Sequence, residues 1–203
     1  MIKSRKKKII ISVLIFVSIL IVLWSTGLIG LWENGISYIA NNTKQFNDLQ
    51  SHIIEGNYSV SIDLSNLESN LGKELYNDGI HRIYVSYVGN TGDINSGGYR
   101  IGFRASGQYS LTKATLISGE HHATLGDKSV TNTMSAKMTA EYNGKTYTSS
   151  EMGMSGLNYK DGDDFSFYIF PTEAYEKNEI SLNEKGIVHL TVTNLFENIW
   201  SKQ

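Results

Sequence analysis

Cysteine is absent from the 203 residues, and proline occurs once, as Pro171. Without a thiol the chain has no disulfide, no thiolate nucleophile, no cysteine-ligated metal and no lipidated cysteine anchor. A domain outside a membrane must then be stable through its own core. The roughly 140 residues that follow the N-terminal third suffice, since they can bury about two-thirds of their unfolded surface. Other absences narrow the chemistry. No G-x-S-x-G elbow and no H-E-x-x-H pair occurs, and no glycine-rich loop follows a strand to open a phosphate-binding helix. No internal repeat and no low-complexity segment is present.

Acidic residues are missing from positions 1–32, which hold Lys3, Arg5, Lys6, Lys7 and Lys8. The rest of the chain therefore carries 13 basic against 20 acidic residues. An acidic domain of this kind is a poor partner for nucleic acid, whose phosphates need clustered Lys and Arg. Directly after the basic cluster, Ile9 to Trp24 is an uncharged, mostly large-apolar run, and the uncharged stretch extends to Trp32. A helix needs about 20 residues to cross the hydrocarbon layer, so residues 9–32 read as a single-pass signal-anchor. The basic residues 1–8 then stay cytoplasmic and the C-terminal domain lies outside the cell membrane. A cleaved signal peptide, with Ser25-Thr26-Gly27 at the cut, is the competing reading. The apolar run of 16 residues exceeds the usual signal core of about 7–15, which favours the anchor.

From Ile36 to Ile54, apolar residues at Ile36, Ile39, Phe46, Leu49 and Ile53 recur at spacings close to helical. Residues 33–56 are therefore expected to form a juxtamembrane helix or stalk. From there the period changes to two. Tyr58, Val60, Ile62 and Leu64 share one parity, as do Ile83, Val85 and Tyr87, then Tyr99, Ile101, Phe103 and Ala105. Further strands are expected from Tyr109 to Ile117, from Val130 to Tyr142, and across Phe165–Phe170, Ile180–Leu182 and Ile187–Thr193. Asn143-Gly144 favours the positive φ angles of a type I′ hairpin turn, with Thr146-Tyr147-Thr148 returning as partner. Leu64, Leu67, Leu71 and Leu75 suggest one short helical crossover over Asn66–Tyr76. Phe196, Ile199 and Trp200 read as a strap closing the domain. The expected fold is mainly β, an antiparallel sandwich over residues 57–203, immunoglobulin-like or similar, without the paired cysteines of true immunoglobulin domains.

Two clusters suggest metal chemistry. Glu120-His121-His122, with Asp127 close behind, offers imidazole and carboxylate ligands. On a strand, however, His121 and His122 point to opposite faces and cannot share an ion, so a polar hairpin tip is the expectation. Asp161-Gly162-Asp163-Asp164 has the density of a calcium loop but lacks the EF-hand spacing and the distant glutamate, and equally suits a tight turn. Neither cluster is assigned a metal, and no cofactor or catalytic residue is assigned. Tyr84, Tyr168 and Phe170 have the opposite parity to the expected core and form a candidate binding face. The functional expectation is a non-enzymatic, membrane-anchored binding domain of a bacterial envelope, of immunity or accessory type, with a protein or envelope-component partner. An envelope hydrolase using carboxylates or a metal is one alternative, and a structural subunit of a membrane assembly is another.

Overall fold

Helix α1 (Ile2–Ser25) opens the chain in the computed structural model, which describes residues 2–126 and 129–203. Its segment Lys8–Ser25 is long and apolar enough to cross a membrane, and none of it is buried against the rest of the protein. Gly27, at φ 79°, ends this helix, and two short helices follow, α2 (Leu28–Asn34) and α3 (Ile36–Asn41). Leu31, Ile36, Ile39 and Ala40 are buried in the core of the β domain. The bend between α2 and α3 needs glycine. Gly35 has φ 55°, and a Cβ there would overlap the Lys160 carbonyl, which accepts a hydrogen bond of 2.8 Å from the Ile36 N–H.

The helix expected over Ile36–Ile54 stops at Asn41. The Asn41 amide bonds back to the Ser37 carbonyl at 2.8 Å, and Asn42 bonds to Gln45; such side chains compete with the helical ladder. Phe46–Asn47 (β1) and His52–Ile53 (β2) then pair as short strands. Leu49 and Ile53 are exposed, so the apolar stripe breaks after Phe46.

The remaining strands are β3 (Tyr58–Asp63), β4 (Glu74–Asn77), β5 (Arg82–Asn90), β6 (Tyr99–Ser106), β7 (Gln108–Tyr109), β8 (Lys113–Ser118), β9 (Glu120–Thr124), β10 (Val130–Met134), β11 (Lys137–Tyr142), β12 (Lys145–Thr148), β13 (Ser150–Met154), β14 (Gly162–Tyr168), β15 (Ile187–Thr193) and β16 (Phe196–Lys202). They form antiparallel sheets in the orders β13-β14-β6-β5-β4, β12-β11-β15-β3 and β1-β16-β8-β7, the last with β2 also on β16, and a two-stranded β9-β10 ribbon. The inward residues of the three larger sheets meet in one shared core. Phe103 and Phe165, on neighbouring strands, stack there with centroids 5.4 Å apart. The expected hairpin is present, with Asn143 at φ 51° and Gly144 at φ 74°.

Five local expectations differ from the structure, the first being the Tyr109–Ile117 run, which divides into β7 and β8. Asn66–Tyr76 is not a helix: only Leu67–Asn70 turns, as a single 3-10 turn, and Leu75 lies on β4. The buried Asn70 side chain replaces the missing helix, donating to the carbonyls of Asp63, Asn66 and Leu67 and accepting from the Asp63 N–H. Ile180–Leu182 forms no strand, because side chains of Asn90 and Tyr99 satisfy the Leu182 carbonyl. The Val130–Tyr142 run divides into β10 and β11, since the Ser135 and Ala136 N–H groups both turn to the Gly119 carbonyl. A β-bulge between Val85 and Tyr87 turns Tyr87 outward, where simple alternation would bury it. The C-terminal apolar group lies within β16, an internal strand paired with β8, β1 and β2.

Gly35→Ala and Gly144→Ala both place a side chain at positive φ, which costs about 1–2 kcal/mol. Only Gly35 also faces backbone, while a Cβ on Gly144 meets open space. Chemical denaturation is expected to give a loss of about 3 kcal/mol or more for Gly35→Ala and about 1 kcal/mol for Gly144→Ala. Equal losses would contradict the packed α2–α3 bend.

Candidate functional site

Strand alternation decides which members of the Glu120-His121-His122 cluster meet. Glu120 and His122, two residues apart on β9, turn to the same side and are 0% and 3% exposed. The expectation of a polar hairpin tip is therefore corrected, since these side chains are interior. His121 turns away and stacks on Phe196, with ring centroids 4.0 Å apart. Its burial lowers the imidazole pKa. Asp127 lies outside the described residues.

The third member comes from the other cluster. Asp163, 0% exposed, points inward from β14. His122 Nε2 lies 2.6 Å from Asp163 Oδ2 and 3.9 Å from Glu120 Oε2. Asp161 and Asp164 diverge from it. Asp161 pairs with Arg104 Nη2 at 2.5 Å, while the Asp164 backbone bonds to Ser155 and its carboxylate accepts from Tyr159. The acidic run thus sends its carboxylates in different directions and gathers no calcium loop.

A ring of polar groups surrounds the Glu120–His122–Asp163 centre. The Ser118 hydroxyl donates to Asp163 Oδ1 at 2.6 Å. The Asn132 amide donates to Glu120 Oε2 at 2.6 Å, and the Ser155 N–H reaches Glu120 Oε1 at 3.3 Å. Asn198, fully buried on β16, accepts from the His122 N–H and donates to the Glu120 carbonyl, both at 2.8 Å. It thereby gives β9 the backbone partners that a neighbouring strand would supply. The Trp200 ring closes the same side, 6.1 Å from His122. Burial, followed by the nearby Asp163 charge, raises the Glu120 carboxyl pKa. This set can bind a cation or store a proton, and the Ser118 hydroxyl is directed at the aspartate.

Sequence reasoning missed Ser118, Asn132, Ser155 and Asn198. For Glu120 and His122 a signal existed, namely their shared parity. Nothing in the sequence joins them to Asp163, which lies 41 positions from His122 and on another sheet.

A second buried imidazole links two layers. His81 Nδ1 bonds to Asp78 Oδ2 at 2.9 Å, and Nε2 bonds to Thr115 Oγ1 at 2.9 Å. The order matches a nucleophile–base–acid relay, but Thr115 is buried, so the relay spans the core. The three residues of the candidate aromatic face separate in the structure. Tyr84 and Tyr168 lie half-buried on the outer side of the β13-β14-β6-β5-β4 sheet, whereas Phe170 is only 1% exposed. Phe170 follows β14 and belongs to the core, packed edge-on with Tyr99, Tyr142, Tyr147 and Tyr175.

Partial burial of Asp78 acts to raise its pKa, but hydrogen bonds from the His81 ring and from the His81 and Ile80 N–H groups outweigh it. The carboxyl is held well below its ordinary 3.8. Its stabilisation is therefore complete above that value and is lost as pH falls toward the folded pKa. Asp78→Asn is expected to lower the urea midpoint at about pH 6, with the gap to wild type shrinking by roughly half at about pH 2.5. A gap that is unchanged or widens on acidification would contradict this.

Compared with protein-family models, with curated proteins and with solved structures, the chain finds no match in any of the three.

Proposed function

We propose that this chain is a membrane-tethered, non-enzymatic binding protein that presents one β domain outside the cell. In this reading α1 crosses the membrane with the basic residues inside, and the larger sheets pack as a sandwich on the outer side. Contacts from β6 and β14 to β8 support that packing, because they join two different sheets. The contrast along the N-terminal segment supports the tether. Lys8–Ser25 has no buried residue, while Leu31, Ile36 and Ile39 immediately after it enter the core. Eighteen residues span about 27 Å as a helix, close to the roughly 30 Å of hydrocarbon. Trp24 and Trp32 are 76% and 74% exposed, which suits indole rings at headgroup level. Lys160 lies 5.6 Å over the Trp32 ring, on the loop that holds Gly35.

The single observation that carries the binding reading is the outer face of the β13-β14-β6-β5-β4 sheet. Opposite the core residues Ile101 and Phe103, it carries Tyr84, Tyr87 and Tyr168 with Arg82 and Arg100. Arg82 lies 4.7 Å over the Tyr84 ring, and Arg100 lies 5.0 Å over Tyr87 while bonding its hydroxyl at 2.7 Å. Tyrosine and arginine supply large, preoriented contact area and dominate many interfaces. The partner proposed is another membrane protein, a secreted peptide or an envelope component. Support for the hydrolase alternative is weaker, since Glu120 and Asp163 are sealed from solvent and His121 stands on the other side of β9. The assembly-subunit alternative relied on an apolar helical stripe over Ile36–Ile54, and Ile36, Ile39 and Phe46 are buried in this chain's own core.

The absence of cysteine makes the topology directly testable. A single cysteine at Thr146→Cys is expected to react with a membrane-impermeant maleimide on intact cells, and one at Ser4→Cys only after lysis. The reverse pattern, or a mature chain lacking α1 by mass, would contradict the tether. In pull-downs from native membranes, Tyr84→Ser/Tyr87→Ser/Arg100→Ala should reduce recovery of a specific partner about tenfold or more without shifting the thermal midpoint. Equal recovery by this variant would rule out the aromatic face.

A further inference from the structure

Two carboxylates and one imidazole stand together in the interior. Among the described residues, Glu120 and Asp163 have no ion pair other than with His122. The guanidinium of Arg104, which bonds the Asp163 carbonyl, is committed elsewhere. It bonds the backbone carbonyls of Ala105 and Asp163 and the carboxylate of Asp161. With both carboxylates ionised the centre is net negative in a region closed to water, an unfavourable state that either a proton on Glu120 or a bound cation relieves.

We propose that Glu120, His122 and Asp163 form a structural binding site for one divalent first-row metal ion of zinc type. With neutral His122, such an ion brings the centre to zero net charge. The donors fit by position: one atom from each side chain lies within 4.8 Å of the others. Ligands about 2.1 Å from a common ion stand roughly 3–4 Å apart. The present separations of 2.6 and 3.9 Å lie just below and within that range, so small side-chain rotations suffice.

The surrounding hydrogen bonds aim the donor atoms. Ser118 occupies Asp163 Oδ1 and Ser155 occupies Glu120 Oε1, which leaves Oδ2 and Oε2 turned toward His122. Oε2 also accepts from Asn132 and keeps a second lone pair for the ion. Partners of this kind are the usual support of a metal centre. The donor set selects the ion. An imidazole nitrogen with two carboxylates suits zinc and its neighbours. Calcium takes six to eight oxygens, and magnesium retains several waters that a closed interior does not admit. No fourth His, Asp or Glu joins among the described residues, so one position falls to a trapped water.

The ion's role is to tie β9 to β14, joining the two-stranded ribbon to the β13-β14-β6-β5-β4 sheet. It would replace the disulfides that a cysteine-free exterior domain lacks. This site is independent of the tether and of the aromatic face.

The test uses the full-length protein in detergent, purified without a histidine tag or chelator. Elemental analysis is expected to find about one zinc-type ion per chain. A strong chelator should lower the thermal midpoint by about 5 °C or more, and one equivalent of zinc, but not calcium, should restore it. Glu120→Gln and Asp163→Asn should lose the ion, and zinc should no longer raise their midpoints. The proposal is overturned if the wild-type midpoint ignores both chelator and zinc and no ion is retained. It is equally overturned if calcium restores stability where zinc does not, or if both variants keep the ion. Should the variants fail to fold, the chelator and zinc arms on the wild type decide alone.

Discussion

Charge withdrawn from water is the constraint around which this domain is arranged. Glu120 and His122 on β9 meet Asp163 on β14, and Asn198 on β16 holds the β9 backbone between them. Three of the four sheets thus converge on one polar centre. A buried charge without a partner is disfavoured by several kcal/mol, and deleting one member of a buried pair costs about 3–5 kcal/mol. The geometry of the three strands and the state of the centre are therefore coupled. Ser118, Asn132 and Ser155 complete the arrangement, and among the described residues no buried side-chain nitrogen or oxygen lacks a partner.

The second constraint is the joint between helix and domain. A flexible linker would leave the domain free to turn relative to α1. Instead Gly35 folds α2 onto α3, the Ile36 N–H bonds to Lys160, and Ile36 and Ile39 are fully buried. In the proposed reading this fixes the height and orientation of the domain above the membrane, and with them the direction in which the Tyr84–Tyr87–Arg100 face is presented. Orienting that face before a partner arrives reduces the entropy lost on association.

The strands were the most legible part of the sequence. Alternation located the buried faces of β3 and β6 correctly, and Asn143-Gly144 located a hairpin from two residues. Helical periodicity misled in two places, for the same reason. Leu49 and Ile53, and separately Leu71, fit a 3.6-residue period but lie exposed, while Asn41, Asn42 and Asn70 use their side chains to end helical structure locally. A spacing pattern counts apolar residues and does not weigh such competing hydrogen bonds. The candidate site was legible by halves. Parity alone separates His121 from His122 and joins His122 to Glu120. Asp163 looked like part of a turn, because its inward direction follows from the pairing of β14 with β6, a long-range property. Phe170 was misassigned because it lies past the end of β14, where strand alternation no longer applies.

The central claim is that Glu120, His122 and Asp163 hold a metal ion and do not meet only through a hydrogen bond. The most direct measurement is X-ray diffraction of zinc-loaded crystals, recorded on both sides of the zinc absorption edge. The account predicts one anomalous peak about 2.1 Å from Glu120 Oε2, His122 Nε2 and Asp163 Oδ2. A fully ordered centre without such a peak, with His122 still bonded directly to Asp163, would contradict it.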